Sequence, residues 1–162
     1  ITFYRNLDDL PDFTDYQMKG RTYRYLEDQP LYPFGYGLTY TQVQVGQPQM
    51  TQADGQYYLT TTIQNQSDLA AEDVLQVYAR ATEAMDEIPN YKLSAFQRIH
   101  LAAHESQTVK LQIPASAFEV VNEAGQRVIE GHKFEFTVGT CQPDERSAQL
   151  MGYSTQKITF EK

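Results

Sequence analysis

The chain has 162 residues, 41% of them apolar, which suffices for a hydrophobic core and excludes disorder throughout. A net charge of −8 and a pI of about 4.8 speak against nucleic acid and against an anionic membrane surface, since both need a basic face. Cys141 is the only cysteine, so neither an internal disulfide nor a cysteine-based zinc site is expected.

No apolar run approaches the ~20 residues of a membrane-spanning helix. Residues Ile1 to Leu10 contain Asp8 and Asp9 and lack the apolar core of a signal peptide. The chain starts at Ile1 without a Met, which reads as a fragment. Its compartment stays open between cytoplasmic and secreted.

Composition changes near Thr41. Before it, Tyr, Pro, Asp and Gly dominate, and nine of the 12 tyrosines lie at or before Tyr58. Asp8, Asp9, Asp12 and Asp15 resemble a calcium loop only at first sight. Pro11 interrupts them, and the Gly and closing Glu of such a loop are missing, so a solvated loop is expected and no metal site. The run Pro30-Leu31-Tyr32-Pro33-Phe34-Gly35-Tyr36-Gly37-Leu38-Thr39-Tyr40 is densest in rings. Aromatic faces can stack on sugars. Two stiff prolines beside two glycines that allow tight bends favour a fixed connection instead. Tyr23, Tyr25, Tyr32, Phe34, Tyr36 and Tyr40 are therefore the candidate interface residues.

After Thr41 short alternating runs take over, each predicting one core face and one wet face. A weaker strand is predicted over Gln42 to Met50, and Ala53-Asp54-Gly55 is a hairpin signal. Leu59, Thr61 and Ile63 then alternate with polar neighbours until Asn65-Gln66-Ser67-Asp68 closes the strand. Leu75, Val77 and Ala79 alternate with Gln76, Tyr78 and Arg80. The stretch Thr82 to Glu87 is too short, and too close to Pro89, for a helix. Lys92 to Leu101 is a further strand candidate. Val109, Leu111 and Ile113 alternate until Pro114, after which one helical turn reaches Phe118. Val120 to Ile129 is a weak strand broken at Asn122 to Gly125. Phe134, Phe136 and Val138 alternate most clearly, and both phenylalanines are expected between sheets. Helical patterning is poor throughout. Short strands with turn signals at this spacing predict an antiparallel β-sandwich.

Chemistry-bearing motifs are scarce. His100 and His104 would share a helix face, but on a strand four residues span roughly 13 Å, so no shared metal is expected. His132 reads as a turn residue and Cys141 as a half-buried structural thiol. No nucleophile elbow, phosphate loop or dinucleotide fingerprint occurs. Nothing singles out a carboxylate pair for glycoside chemistry. No catalytic residue and no cofactor is assigned.

Pro30 to Thr41, PLYPFGYGLTYT, resembles the start of the C-terminal fibronectin type III-like domain of glycoside hydrolase family 3. LPDFTDY (Leu10 to Tyr16) and MKGRTYRY (Met18 to Tyr25) are similar to the segments before it. DVLQVYA (Asp73 to Ala79), KLSAFQRI (Lys92 to Ile99), AHES (Ala103 to Ser106) and GHKFEFTVG (Gly131 to Gly139) follow the domain's order, the last resembling its final core strand. The chain departs from that pattern at Gln66, at His104 where glycine is usual, and at Ser94-Ala95. These change turns rather than the fold.

The resemblance implies an all-β, immunoglobulin-like or fibronectin type III-like antiparallel sandwich over residues 41–162. Residues 1–40 would be a mostly irregular segment, comprising the end of a preceding α/β domain and a linker. Ile1 to Tyr4 would be the last strand of that domain, and a route to self-association if exposed. The family's catalytic carboxylates lie upstream, so none is carried over. The chain would be a non-catalytic accessory part of a retaining β-glucosidase or β-xylosidase. Its partners would be the catalytic domains of the same parent, which alone would meet the β-linked oligosaccharide. The rival readings are an independent carbohydrate-binding module and a protein-binding sandwich.

Overall fold

The computed structural model describes residues 4–84 and 89–162. Within them the hairpin signal acts as its chemistry requires. Strand β2 (Gln49–Ala53) reverses into β3 (Gln56–Asn65) through two residues, Asp54 at φ 52 and Gly55 at φ 73. Positive φ at both central positions is what a tight antiparallel hairpin needs. The single strand expected over Gln42 to Met50 is instead two, β1 (Val43–Val45) and β2, both on the same edge of β3. Pro48 lacks the N–H a continuous ladder would use. The Gly46 N–H still reaches the Thr62 carbonyl at 2.7 Å, so the strand steps sideways without losing β3.

The other edge of β3 pairs with the later strand Ser106–Ile113, completing the first sheet. The second sheet is built on β4 (Ala71–Ala81) and β5 (Lys92–Leu101). With Ser106–Ile113 as β6, a one-turn 3-10 helix at Ala115–Phe118 follows. The interrupted weak strand appears as a small hairpin of β7 (Val120–Val121) and β8 (Arg127–Val128). Strands β9 (Lys133–Gly139) and β10 (Gln156–Glu161) complete the second sheet, in the order β10-β9-β4-β5, all antiparallel.

The two sheets face each other over one core, an immunoglobulin- or fibronectin type III-like sandwich. Val43, Leu59, Ile63, Val109, Leu111 and Ile113 pack from the first sheet, and Leu75, Val77, Ile99, Leu101, Phe134, Phe136 and Val138 from the second. The predicted register of β9 holds: Phe134, Phe136 and Val138 are buried.

Three expectations are corrected. The Gly131 to Gly139 strand is not the last in the core, because β10 pairs along it from Gln156 to Glu161. Helix, poorly patterned throughout the sequence, still forms in two short pieces. α1 (Thr22–Tyr25) is a single turn, and α2 (Glu145–Met151) is a true helix between β9 and β10. Asp144 caps α2 by accepting from the Ser147 N–H at 2.8 Å, and Gly152 at φ 77 closes it. Seven residues are too few to show helical periodicity, so only its end signals could have marked it. Third, the far face of β4 is not wet: Gln76 is 7% and Tyr78 0% exposed. Of the rejected helix Thr82 to Glu87, residues 85–87 lie outside the described residues, as do Ile1 to Phe3 of the proposed terminal strand.

Candidate interdomain interface

Tyr78 is buried on the far face of β4 because the leading segment lies over it. The Tyr23 ring, on α1, meets Tyr78 edge-on at 6.4 Å and stacks on Phe34 at 4.2 Å with 14° between planes. The Leu93 N–H of β5 donates to the Tyr23 hydroxyl at 3.3 Å. Asn90 adds two bonds to the leading segment: its backbone N–H to the Arg24 carbonyl at 2.7 Å and its side-chain amide to the Leu26 carbonyl at 2.8 Å. Pro30 and Pro33 are buried. Their fixed φ removes conformers that docking would otherwise have to freeze.

Beneath these rings runs a polar chain. The Tyr78 hydroxyl donates to Gln76 Oε1 at 2.6 Å, and Gln76 Nε2 donates to the Thr140 carbonyl at 3.2 Å. The Thr140 hydroxyl in turn shares a hydrogen bond with the Tyr153 hydroxyl. Burial pushes the Tyr78 hydroxyl far above its ordinary value, with the neighbouring Tyr23, Cys141 and Asp144 adding to the shift. Tyr78 therefore stays a neutral donor. Sequence reading missed this chain because Gln76 and Tyr78 fall on the face that alternation assigns to solvent.

Gly35 crosses directly above. At φ +77 it is left-handed, and an added Cβ would lie 2.6 Å from Gln76 Oε1 and 3.1 Å from the Tyr78 hydroxyl. Gly35→Ala should cost about 1–3 kcal/mol, from the left-handed conformation and the displaced amide. Gly37→Ala, with nothing within 4 Å of its added Cβ, should stay within about 0.5 kcal/mol. Urea melts of the two variants check this.

The six predicted interface residues thus separate. Tyr23 and Phe34 are used within the chain, against β4. Tyr32 and Tyr36 stack on each other at 5.6 Å. Tyr25 sits beside Arg24, whose guanidinium lies 5.8 Å from its ring. Tyr40 is 98% exposed and joins none of these groups. Leu7, Leu10, Phe13, Tyr16, Met18, Leu31 and Leu38 are exposed in the same segment.

The remaining candidates are kept apart. Asp9 and Asn6 form a reciprocal cap, and Asp12 accepts from the Thr14 amide and hydroxyl, so these carboxylates serve their own turns. His100 lies 3.6 Å from Glu72, while His104 pairs with Asp68 at 2.8 Å. His104 adopts φ 60, the left-handed conformation that favours glycine. Among the described residues, no three His, Cys, Asp or Glu side chains converge.

Cys141 is fully rather than half buried, at 1% exposure, because it follows β9 into the covered corner beside Tyr153 and Asp73. Burial, then the charges of Asp144 and Asp73, push its thiol up to about 12. Iodoacetamide at pH 8 should leave the folded chain unlabelled and add one group in guanidinium. Labelling of the folded chain would place the thiol at the surface.

Known proteins resemble this chain in sequence and in fold. Residues 73–142 match the family model of the fibronectin type III-like domain. The chain is 35% identical over 153 residues to a xylan 1,4-beta-xylosidase of Xylanibacter ruminicola, covering 93% of this chain and 18% of that protein. It is 30% identical over 156 residues to a periplasmic beta-glucosidase of Salmonella typhimurium, covering 86% of this chain and 20% of the relative. The solved beta-glucosidase of Kluyveromyces marxianus superposes with a TM-score of 0.77 at 26% identity, over 99% of this chain and 20% of that one. The chain therefore spans about a fifth of the length of these relatives. The fibronectin type III-like match runs from β4 to the residues just after β9. The structural likeness extends beyond it to the leading segment.

Proposed function

We propose that this chain is a non-catalytic accessory part of a family 3 glycoside hydrolase, a β-glucosidase or β-xylosidase. Residues 41–162 form the sandwich, and residues 1–40 are the end of the preceding domain and the linker. The observation that carries this reading is the leading segment. One side is fixed to the sandwich through Tyr23 and Phe34, while Leu7, Phe13, Tyr16, Leu38 and Tyr40 stand exposed on it. Exposed apolar side chains gathered on one segment mark a surface that another body covers. The relatives are about five times longer, which leaves room for such a body, and we assign it to the catalytic domains of the parent. The sandwich braces them, and the hydrolysis itself belongs to the parent.

The test mixes this chain with separately expressed catalytic domains of the parent. A complex on size exclusion is expected, weakened by Phe13→Ser with Tyr40→Ser. Alone, the chain should not release the aryl group from aryl β-glucosides or β-xylosides, since retaining hydrolysis needs a nucleophile and an acid. Turnover by the chain alone, lost on mutating one of its own acidic residues, would overturn the reading. Micromolar binding of cello- or xylo-oligosaccharides would favour a carbohydrate-binding module instead.

A further inference from the structure

Beyond the role of a brace, a cavity of about 290 Å³ opens between the leading segment, the far end of β4 and the β7–β8 hairpin. In a chain of net charge −8, its polar lining is cationic: Arg24, Arg80, Lys92 and Arg127 against one carboxylate, Glu119. Glu119 is shared, lying 3.7 Å from Arg127 while its backbone carbonyl accepts from Lys92 at 3.3 Å. Arg80 has a second compensating charge outside the cavity, Glu135, and rests 5.8 Å from the Tyr91 ring. Arg24 Nε and Arg80 Nε are buried and have no hydrogen-bond partner among the described residues.

A buried guanidinium nitrogen without an acceptor carries a desolvation cost that a ligand oxygen would remove. Lys92 reports the same imbalance. Burial, then the nearby charge of Arg24, lower its ammonium from the ordinary value, against the opposing pull of Glu119. Tyr25 lines the same cavity and adds an apolar face. Cations in excess over carboxylates, beside one ring in a concave site, suit a small anion.

We propose that this cavity binds a small carboxylate-bearing ligand, whose charge is met by Arg24, Lys92 and Arg127. The planar carboxylate matches the forked donors of a guanidinium. The cavity has room for a ring behind that group, so a sugar acid and an acidic peptide side chain are the two sources of the shared chemistry.

Calorimetric titrations at constant ionic strength test it, with acetate, glucuronate and N-acetyl-glutamate amide as probes and glucose as the neutral control. Saturable binding of the carboxylates, and none of glucose, is expected. Arg24→Gln and Arg127→Gln should each weaken it at least tenfold. Arg24 holds Asn90 through its backbone carbonyl, so the docking bond survives that change. Arg127 is an exposed side chain of the β7–β8 hairpin, so its variant tests the site without touching the core. Glucuronate binding well above both acetate and the glutamate amide assigns a sugar acid; the reverse order assigns an acidic side chain. Equal response to all four probes, or binding unchanged in both variants, overturns the site. Asp86 and Glu87 precede Pro89 in sequence; acetate affinity that appears only in Asp86→Asn with Glu87→Gln overturns an external ligand in favour of an internal carboxylate.

Discussion

Phe118→Ala is expected to cost about 3–5 kcal/mol, the largest loss from any single ring in this chain. Its ring is 0% exposed and sits where four others converge. Tyr57 lies at 4.6 Å, Phe134 at 5.0 Å, Phe136 at 5.4 Å and Phe160 at 6.1 Å. Those contacts join β3 of one sheet to β9 and β10 of the other, so a cavity there loosens both sheets. The Lys162 ammonium, 4.8 Å from the ring centre, loses a cation–π contact as well. With total stabilities of about 5–15 kcal/mol, much of the fold's margin would go. Phe96→Ala is the control: at 68% exposure it leaves no cavity and should change stability by about 0.5 kcal/mol or less. Denaturant melts of both decide it. Equal midpoints would show that Phe118 does not join the sheets.

Asn65→Ala is expected to cost on the order of 3 kcal/mol, because a fully buried side chain would lose three hydrogen bonds to the backbone at once. Asn65 ends β3 and is 0% exposed. Its side-chain amide donates to the Leu69 carbonyl at 2.7 Å and to the Ala102 carbonyl at 2.9 Å. Its side-chain oxygen accepts from the Ser67 N–H at 3.0 Å, and its own backbone N–H reaches the Glu105 carbonyl at 2.9 Å. One side chain thus ties the β3–β4 connection to the β5–β6 turn, and so one sheet to the other. Asn65→Asp is the sharper probe. A carboxylate keeps the Ser67 bond but cannot donate to either carbonyl, so at neutral pH it should be at least as damaging as alanine. Aspartate behaving as wild type in thermal melts would sink the staple.

Both positions bear on what sequence reading could reach. Asn65 was legible as the end of a strand, because Asn-Gln-Ser-Asp is turn chemistry. Its second task was not, since Ala102 lies on a different turn and nothing in the local run names it. Phe118 was legible as the end of a helical turn after Pro114. That turn docks into the aromatic cluster only because Pro114 stops β6 at the open end of the sandwich.

The candidate interface divides in the same way. The tyrosine-rich leader stands out by composition, and Tyr23 and Phe34 pack against β4 of the same chain. The leader's inner side meets the chain's own sheet, and its outer side carries the exposed Phe13, Leu38 and Tyr40. Ring counts locate such a segment but do not tell which ring turns inward.

Alternating side chains at Leu59–Ile63, Val109–Ile113 and Phe134–Val138, with the turn chemistry of Asp54-Gly55 and the stop at Pro114, determined the strands, their core faces and the sandwich. These are local properties: a period of two and a permitted φ need no knowledge of distant residues. Tertiary structure alone decided the covered far face of β4, the reach of β10, the Asn65 staple and the cationic cavity at Arg24. Each needs residues far apart in the chain, as with Tyr23 and Leu93, 70 positions distant. Burial on a second face depends on what returns to lie against it, and one strand's periodicity carries no record of that return.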